Sequence, residues 1–266
     1  MSRRHFVIAG NGPSLALTDP GSVIAEDFII RTNSFFLERE FHLGPRVDLA
    51  LIAGDPRVAP FVLATLKKVS THYDIKNWVA VKAKVARIGH RFMKTEPMQI
   101  DPPDNEVAKR LEQLQAQYQA TPTAGIRALI MAHAMGARHV VLTGIDLYSG
   151  SERYAFEPGR HMRDLLGPDI DQRPYDMRLH HPDLDLALLD YMASRDDLTV
   201  KHASKDGPLS QYLDLAMPRM GTPIAGSPKP YTDDWVTWAG WYPISALKIM
   251  RKLRAVQRNA ISAQEK

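Results

Sequence analysis

Short apolar runs recur along the chain, and each closes on small polar residues. Phe6–Ala9 runs into Gly10-Asn-Gly-Pro-Ser14, Asp27–Arg31 into Thr32-Asn33-Ser34, and Val47–Ala53 into Gly54-Asp55-Pro56. Trp78–Val81, Arg138–Thr143 and Leu198–His202 are further runs of this kind. Apolar runs of this length, bounded by turn residues, read as strands. Between them lie segments with helical spacing. Pro60–Val69 places Phe61, Leu63 and Leu66 before Lys67 and Lys68. Asn105–Gln119 sets Val107, Leu111 and Leu114 among charges, the pattern of an exposed amphipathic helix. Ile126–Met135 is almost wholly apolar, with only Arg127 and His133 ionisable, and stops at Gly136. After Pro182, the residues Leu184, Leu186, Leu188, Leu189 and Met192 give a helix a buried side, and Asp183 and Asp185 suit its first turn. Leu209–Met217 reads as a short helix. Strands alternating with helices predict an α/β fold built on a doubly wound parallel sheet.

Three segments break this rhythm. His90–Pro103 is irregular and carries Pro97, Pro102 and Pro103. From about Ser149 to Leu179 the chain is polar, with no hydrophobic period. Structureless loops of that length inside a compact domain are uncommon and usually functional, often as lids. Met217–Lys229 is rich in Pro and Gly and reads as a linker. Beyond it, Trp235, Trp238, Trp241 and Tyr242 precede a basic helix expected from Ile244 to about Arg258, which carries Lys248, Arg251, Lys252, Arg254 and Arg258. Aromatics beside a basic amphipathic helix suit an anionic membrane surface. The expected division is a domain over 1–217, with a lid at about 149–180, then a linker and tail over 218–266.

Composition narrows the chemistry. The 266 residues contain no cysteine, which excludes a disulfide scaffold, a thiolate metal site and a thiol nucleophile. The first apolar run is too short for a signal peptide, and no apolar run is long enough to span a bilayer. The expected location is cytoplasmic, peripheral on the inner face of the cytoplasmic membrane. A formal net charge of +4 favours anionic partners in general. Nucleic acid is not expected among them, because the basic residues concentrate in the tail and no nucleic-acid module is present.

The candidate site gathers where the runs end. Gly10 and Gly12 around Asn11 make a tight turn, with Pro13 and Ser14 opening a short helix whose N–H groups favour an anion. This loop lacks the third glycine of the dinucleotide fingerprint and the Gly-Lys-Ser/Thr of a Walker loop. Asn33 can hold a polar ligand group or cap a turn. Thr123, Ala124 and Gly125 put small residues at a helix N-terminus. Gly144, Ile145 and Asp146 follow a strand directly, with Tyr148 and Tyr154 just beyond. No Gly-x-Ser-x-Gly or kinase signature occurs. Asp183 and Asp185 stand two apart at a helix start and cannot face one another, and His161, His180 and His181 lack the zinc spacing on one helix. No metal is expected.

These segments, taken in order, resemble the bacterial sialyltransferases of glycosyltransferase family 42, the lipooligosaccharide enzymes of Campylobacter and Haemophilus type. The likeness rests on Ile8–Leu15, Arg31–Phe35, Thr123–Gly125, Thr143–Tyr148, Tyr154–Phe156, His180 and Asp185–Tyr191. It spans roughly residues 5–217. It implies a Rossmann-like domain of GT-A-like type with a lid over the donor CMP-N-acetylneuraminic acid, inversion at the anomeric carbon, and no metal or other cofactor. On this resemblance Gly10, Asn11, Gly12, Pro13, Ser14, Asn33, Asp55, Gly144, Ile145 and Asp146 line the donor site, and Thr123, Ala124 and Gly125 meet the donor carboxylate. Tyr148 and Tyr154 hydrogen-bond the departing phosphate, and His180 is the general base, with His181 its competitor. The acceptor is a hydroxyl of a surface glycan such as lipopolysaccharide, and a homo-oligomer is implied.

The chain departs from the family in places. Thr121 stands where the family has Arg, Ala124 where it has Ser, and Asp55 where it often has Asn. The lost hydroxyl at Ala124 leaves open a different donor, such as CMP-Kdo. A catalytically silent nucleotide-binding module docked to a membrane is the rival from another class.

Overall fold

The computed structural model describes residues 5–150, 152–172, 179–239, 243–250, 252–253 and 256. Six strands form one parallel sheet in the order β5-β4-β2-β1-β6-β7. They are β1 (His5–Ala9), β2 (Phe28–Thr32), β4 (Arg46–Ile52), β5 (Asp74–Ala80), β6 (His139–Thr143) and β7 (Thr199–His202). All five pairings are parallel, so the predicted sheet is present. From β1 the chain builds outward through β2, β4 and β5, then returns to place β6 on the other side of β1. This reversal puts the topological switch point at the carboxyl ends of β1 and β6, the place where open α/β sheets bind ligands.

Alternation along each strand sends side chains to the two faces of the sheet, where three apolar clusters form. Phe6, Ile8, Leu49, Leu51, Val140 and Leu142 pack under the helices α3 (Asn105–Tyr118), α4 (Ala124–Ala134) and α6 (Pro182–Ala193). Val47, Ala50 and Ile52 pack on the opposite face against α1 (Ala59–Val69), together with Trp78. Val7, Ala9 and Val141 meet Leu15 and Ala203 in a third cluster. A sheet covered on both faces explains why the strands read as near-continuous apolar runs.

The structure departs from the pattern-based expectations in four places. A short helix α2 (Ala83–Gly89) follows β5, where Gly89 lies against Trp78 so closely that a Cβ would sit 2.0 Å from the indole. The polar segment after Ser149 is not free of regular structure, since α5 (Arg160–Leu166) forms in it. Asp234 accepts from the N–H groups of His161 (2.5 Å) and Met162 (3.2 Å) and so caps α5 from far along the chain. Leu209–Met217 forms only a 3₁₀ turn over Pro208–Gln211, because the chain then bonds back to His202 through Ala216 N–H. The segment read as a linker lies on the domain. β8 (Ser227–Pro228) pairs antiparallel with β3 (Glu40–Phe41), and Lys229 Nζ donates to Phe36 O at 2.7 Å.

The tail divides into two parts. Trp235 is buried and donates from Nε1 to Ser34 Oγ at 3.2 Å. Residues 244–250 are helical, with Ile244 and Leu247 buried and Lys248 bonded to Asp164. Trp238, Ile249, Leu253 and Val256 are exposed. Trp241, Tyr242, Arg251, Arg254 and Arg258 lie outside the described residues. Among those described, no helix is long and apolar enough to cross a membrane.

Candidate active site

Two loops meet at the switch point. Gly10 N–H donates to Thr143 O at 2.9 Å and Gly12 N–H to Gly144 O at 2.8 Å, which extends the β1–β6 pairing past the strand ends. The crowding is severe. A Cβ on Gly10 would lie 2.1 Å from Gly144 O, and one on Gly12 2.4 Å from the Asp146 carboxylate. Gly144 has a φ of +61°, which favours glycine. The glycines of the first loop therefore admit the second loop, and not a ligand alone as the sequence suggested. Gly125 follows the same logic: its Cβ would strike Ile145 at 2.8 Å.

Asp146 fastens this junction. Its carboxylate accepts from Ser14 N–H at 2.9 Å and from Ser14 Oγ. Burial pushes the Asp146 carboxyl above the usual carboxylate range, and the two Ser14 bonds pull it back. Asp146 and Ser14 thus build the floor of the crevice, with their polar atoms turned to each other. Asn11 ties in two further elements. Its Nδ2 donates to Thr32 O at 3.0 Å, and its carbonyl accepts from Ala155 N–H at 2.7 Å.

Asn33 follows β2 with a φ of +48°. Its Oδ1 accepts from Ala53 N–H at 2.9 Å and its N–H donates to Leu51 O at 2.8 Å, so its side chain joins the ends of β2 and β4. Asp55 lies at the same sheet edge and closes on Arg57, with 3.1 Å from Nε to each carboxylate oxygen. That bond holds the Asp55 carboxyl below its usual range.

At the α4 N-terminus, Thr123 N–H donates to Asp185 Oδ1 at 3.0 Å. Asp185 is 2% exposed, and burial pushes its carboxyl up to about 6. The sequence shows Asp185 as a first-turn residue of α6, and its bond to α4 depends on a contact between distant helices. One N–H of this helix end is therefore occupied from within, while Ala124 and Gly125 follow it in the first turn.

The two histidines differ in tautomer. His180 Nδ1 lies 2.7 Å from Thr121 O. A carbonyl only accepts, so Nδ1 carries the proton and the lone pair sits on Nε2. His181 caps α6, its Nδ1 accepting from Asp183 N–H at 3.2 Å. That bond occupies the Nδ1 lone pair and leaves the proton on Nε2. Of the two, His180 carries its lone pair on Nε2 and His181 on Nδ1. Asp183 is exposed and Asp185 is held by Thr123, so the pair does not converge. His161 lies apart, with Nδ1 2.6 Å from Trp235 O. Among the described residues, no three His, Asp or Glu side chains gather as a metal site.

Tyr148 and Tyr154 flank a residue that sequence reasoning passed over. Leu147 and Tyr148 both have positive φ, +50° and +55°. This bend lets Arg153 lie over both rings, 4.6 Å from the Tyr148 centroid and 5.5 Å from that of Tyr154. Tyr154 also stacks on Phe156, at 5.0 Å between centroids. Arg153 stands immediately before Tyr154 in the sequence, but no spacing rule marks it.

Two cavities adjoin this region. One of about 690 Å³ is lined by Val81, Arg87, Met98, Pro122 and Arg127, next to the segment that holds His180. Another of about 1040 Å³ lies between α1, α5 and Tyr231–Thr237, and neither cavity is lined by a predicted site residue.

A topological switch point on a Rossmann-like parallel sheet of six strands is the GT-A-like plan of a glycosyltransferase. Residues 4–237 match the sequence model of the family described as CST-I, alpha-2,3-sialyltransferase, and the chain belongs to that family. No curated protein sequence matches significantly. Among solved structures, the chain is similar to the monofunctional alpha-2,3-sialyltransferase Cst-I from Campylobacter jejuni, at 20% identity and a TM-score of 0.72 over 96% of this chain and 95% of that one. It is similar to the Campylobacter jejuni sialyltransferase CstII in complex with CMP-3FNeuAc, at 19% identity and a TM-score of 0.70 over 88% and 95%. A third match is the sialyltransferase CST-II with a trisaccharide acceptor and CMP, at 18% identity and a TM-score of 0.66 over 89% and 96%. At these identities the structural likeness establishes the fold.

Proposed function

We propose that the protein transfers sialic acid from CMP-sialic acid to a hydroxyl of a surface glycan acceptor, with inversion and without a metal. The observation that carries this reading is the convergence of the Gly10–Ser14 and Gly144–Asp146 loops with the α4 N-terminus and His180 on one sheet edge. In the step, the bond from the anomeric carbon to the phosphate oxygen breaks, and its electron pair leaves on the phosphate. The acceptor oxygen forms the new bond from the opposite face, and its proton passes to His180 Nε2. Thr121 O holds the imidazole in the tautomer this requires. Tyr148 and Tyr154 donate to the departing phosphate, which a metal-free site must meet with fixed donors. The lid over the donor excludes water that would hydrolyse it. The acceptor enters through the cavity beside Pro122.

Ala124 favours a second reading. It offers an N–H but no hydroxyl to the donor carboxylate, which leaves room for another CMP-ulosonate such as CMP-Kdo. The exposed Trp238, Ile249, Leu253 and Val256 beside Lys252 support docking to an anionic membrane surface on the cytoplasmic side.

The experiment is CMP release from CMP-sialic acid and from CMP-Kdo by the purified chain, compared with His180→Ala and Tyr148→Phe. Release from CMP-sialic acid that both variants reduce is the expected result. Release from CMP-Kdo alone replaces the donor. Intact CMP binding with no release from either supports a silent module.

A further inference from the structure

We infer that Arg153 is a further catalytic residue of this site, the cation that meets the phosphate of the departing nucleotide. The inference rests on the nucleotide-sugar reading above. Its guanidinium is held against the faces of Tyr148 and Tyr154, the two phenols assigned to that phosphate. The contact is an electrostatic attraction to ring faces, which leaves the N–H edges of the fork available for an anion. Arg153 makes no ion pair among the described residues, and its Nε is buried without a hydrogen-bond partner. A buried guanidinium N–H without an acceptor is costly, so an acceptor that arrives with the substrate would satisfy it.

The surroundings fix Arg153 in place without neutralising it. Its backbone N–H donates to Asp171 O at 3.0 Å. The Asp171 carboxylate is taken by Arg163 at 2.8 and 2.9 Å. Two residues on, Ala155 N–H bonds Asn11 O, so this short stretch is anchored to the nucleotide loop itself. The charge of the site points the same way. Its floor carries the carboxylates of Asp146 and Asp185, while Arg57 is paired with Asp55. A nucleotide phosphate gains charge as the glycosyl bond breaks, and Arg153 is the cation this geometry sets beside it. Arg is the side chain suited to bidentate phosphate binding.

Isothermal titration of the full chain with CMP and with cytidine separates this role from a structural one. In Arg153→Ala, CMP affinity falls about ten- to hundredfold while cytidine affinity is unchanged, the effect of one charge-assisted contact. Arg153→Lys restores part of the loss, since it keeps the charge but not the planar fork. Turnover falls with the CMP-to-cytidine affinity ratio across the three proteins. An unchanged ratio in Arg153→Ala, an equal loss for both ligands, or no recovery in Arg153→Lys overturns the assignment. If the unaltered chain binds neither CMP nor cytidine, the nucleotide reading itself fails and this inference falls with it.

Discussion

Replacing Asp185 by Asn removes a charge from the interior and keeps an oxygen for the Thr123 N–H. Asp185 is 2% exposed and its carboxyl is pushed up to about 6. An unfolded Asp titrates near 3.9, so the difference is about 2 units, or roughly 3 kcal/mol. The sign follows from the direction of the shift. Above about pH 6 the carboxyl is ionised in both states, and the folded state bears the full cost of the buried charge. Below about pH 4 it is protonated in both, and the cost is gone. The α4 N-terminus favours the anion by about 0.3–1 kcal/mol and so reduces the net cost. Asp185→Asn is therefore expected to be more stable than the unaltered chain by about 1–3 kcal/mol near pH 7.5. That advantage shrinks steadily as the pH falls through about 6 toward 4. Urea unfolding of both proteins across this range reads it directly. A variant less stable at pH 7.5, by an amount that does not change with pH, would refute the argument. Asp185 would then be a net-favourable partner of Thr123 and not a strained one.

Other substitutions test the remaining parts. Gly10→Ala places a Cβ 2.1 Å from Gly144 O, between two loops joined by hydrogen bonds on either side. It should cost about 3 kcal/mol or more and abolish the thermal shift produced by CMP. His180→Ala should lower turnover by roughly 10²–10⁴, while His181→Ala loses the α6 cap, about 1 kcal/mol, and retains turnover. The reverse order in a steady-state assay contradicts the tautomer argument. Glu38→Ala strands Arg31, which is fully buried and bonded to Glu38 at 2.6 Å. Tyr73, which donates to Glu38 at 2.8 Å, loses its acceptor as well. Denaturant unfolding should show a loss of about 3–5 kcal/mol.

The sequence by itself determined the sheet and the edge at which to look. Runs such as Phe6–Ala9 and Val47–Ala53 are long enough, and apolar enough on both faces, to be strands under helices, and β1 and β4 form there. Where a strand stops, small polar residues must follow, so Gly10–Ser14, Asn33 and Gly144–Asp146 stood out as crevice residues without any structure. Short elements were not legible. α2 and α5 have seven residues each and few buried positions, too few for a periodic signal, and depend on Trp78 and Asp234 for support. β3 and β8 have two residues each and exist because the tail returns to the domain.

Tertiary structure alone decided what the site residues touch. Gly10, Gly12 and Gly125 read as openings for a ligand, yet the closest atoms belong to Gly144, Asp146 and Ile145, because two strand ends pair beyond the sheet. Asp185 read as a helix-start residue and instead buries its carboxylate at another helix. His180 and His181 are adjacent and chemically identical in sequence. One faces a carbonyl and the other an N–H, and that difference of partner fixes which nitrogen carries the lone pair. Local pattern can specify where a side chain starts, but hydrogen-bond polarity is set by whichever backbone the fold brings to meet it.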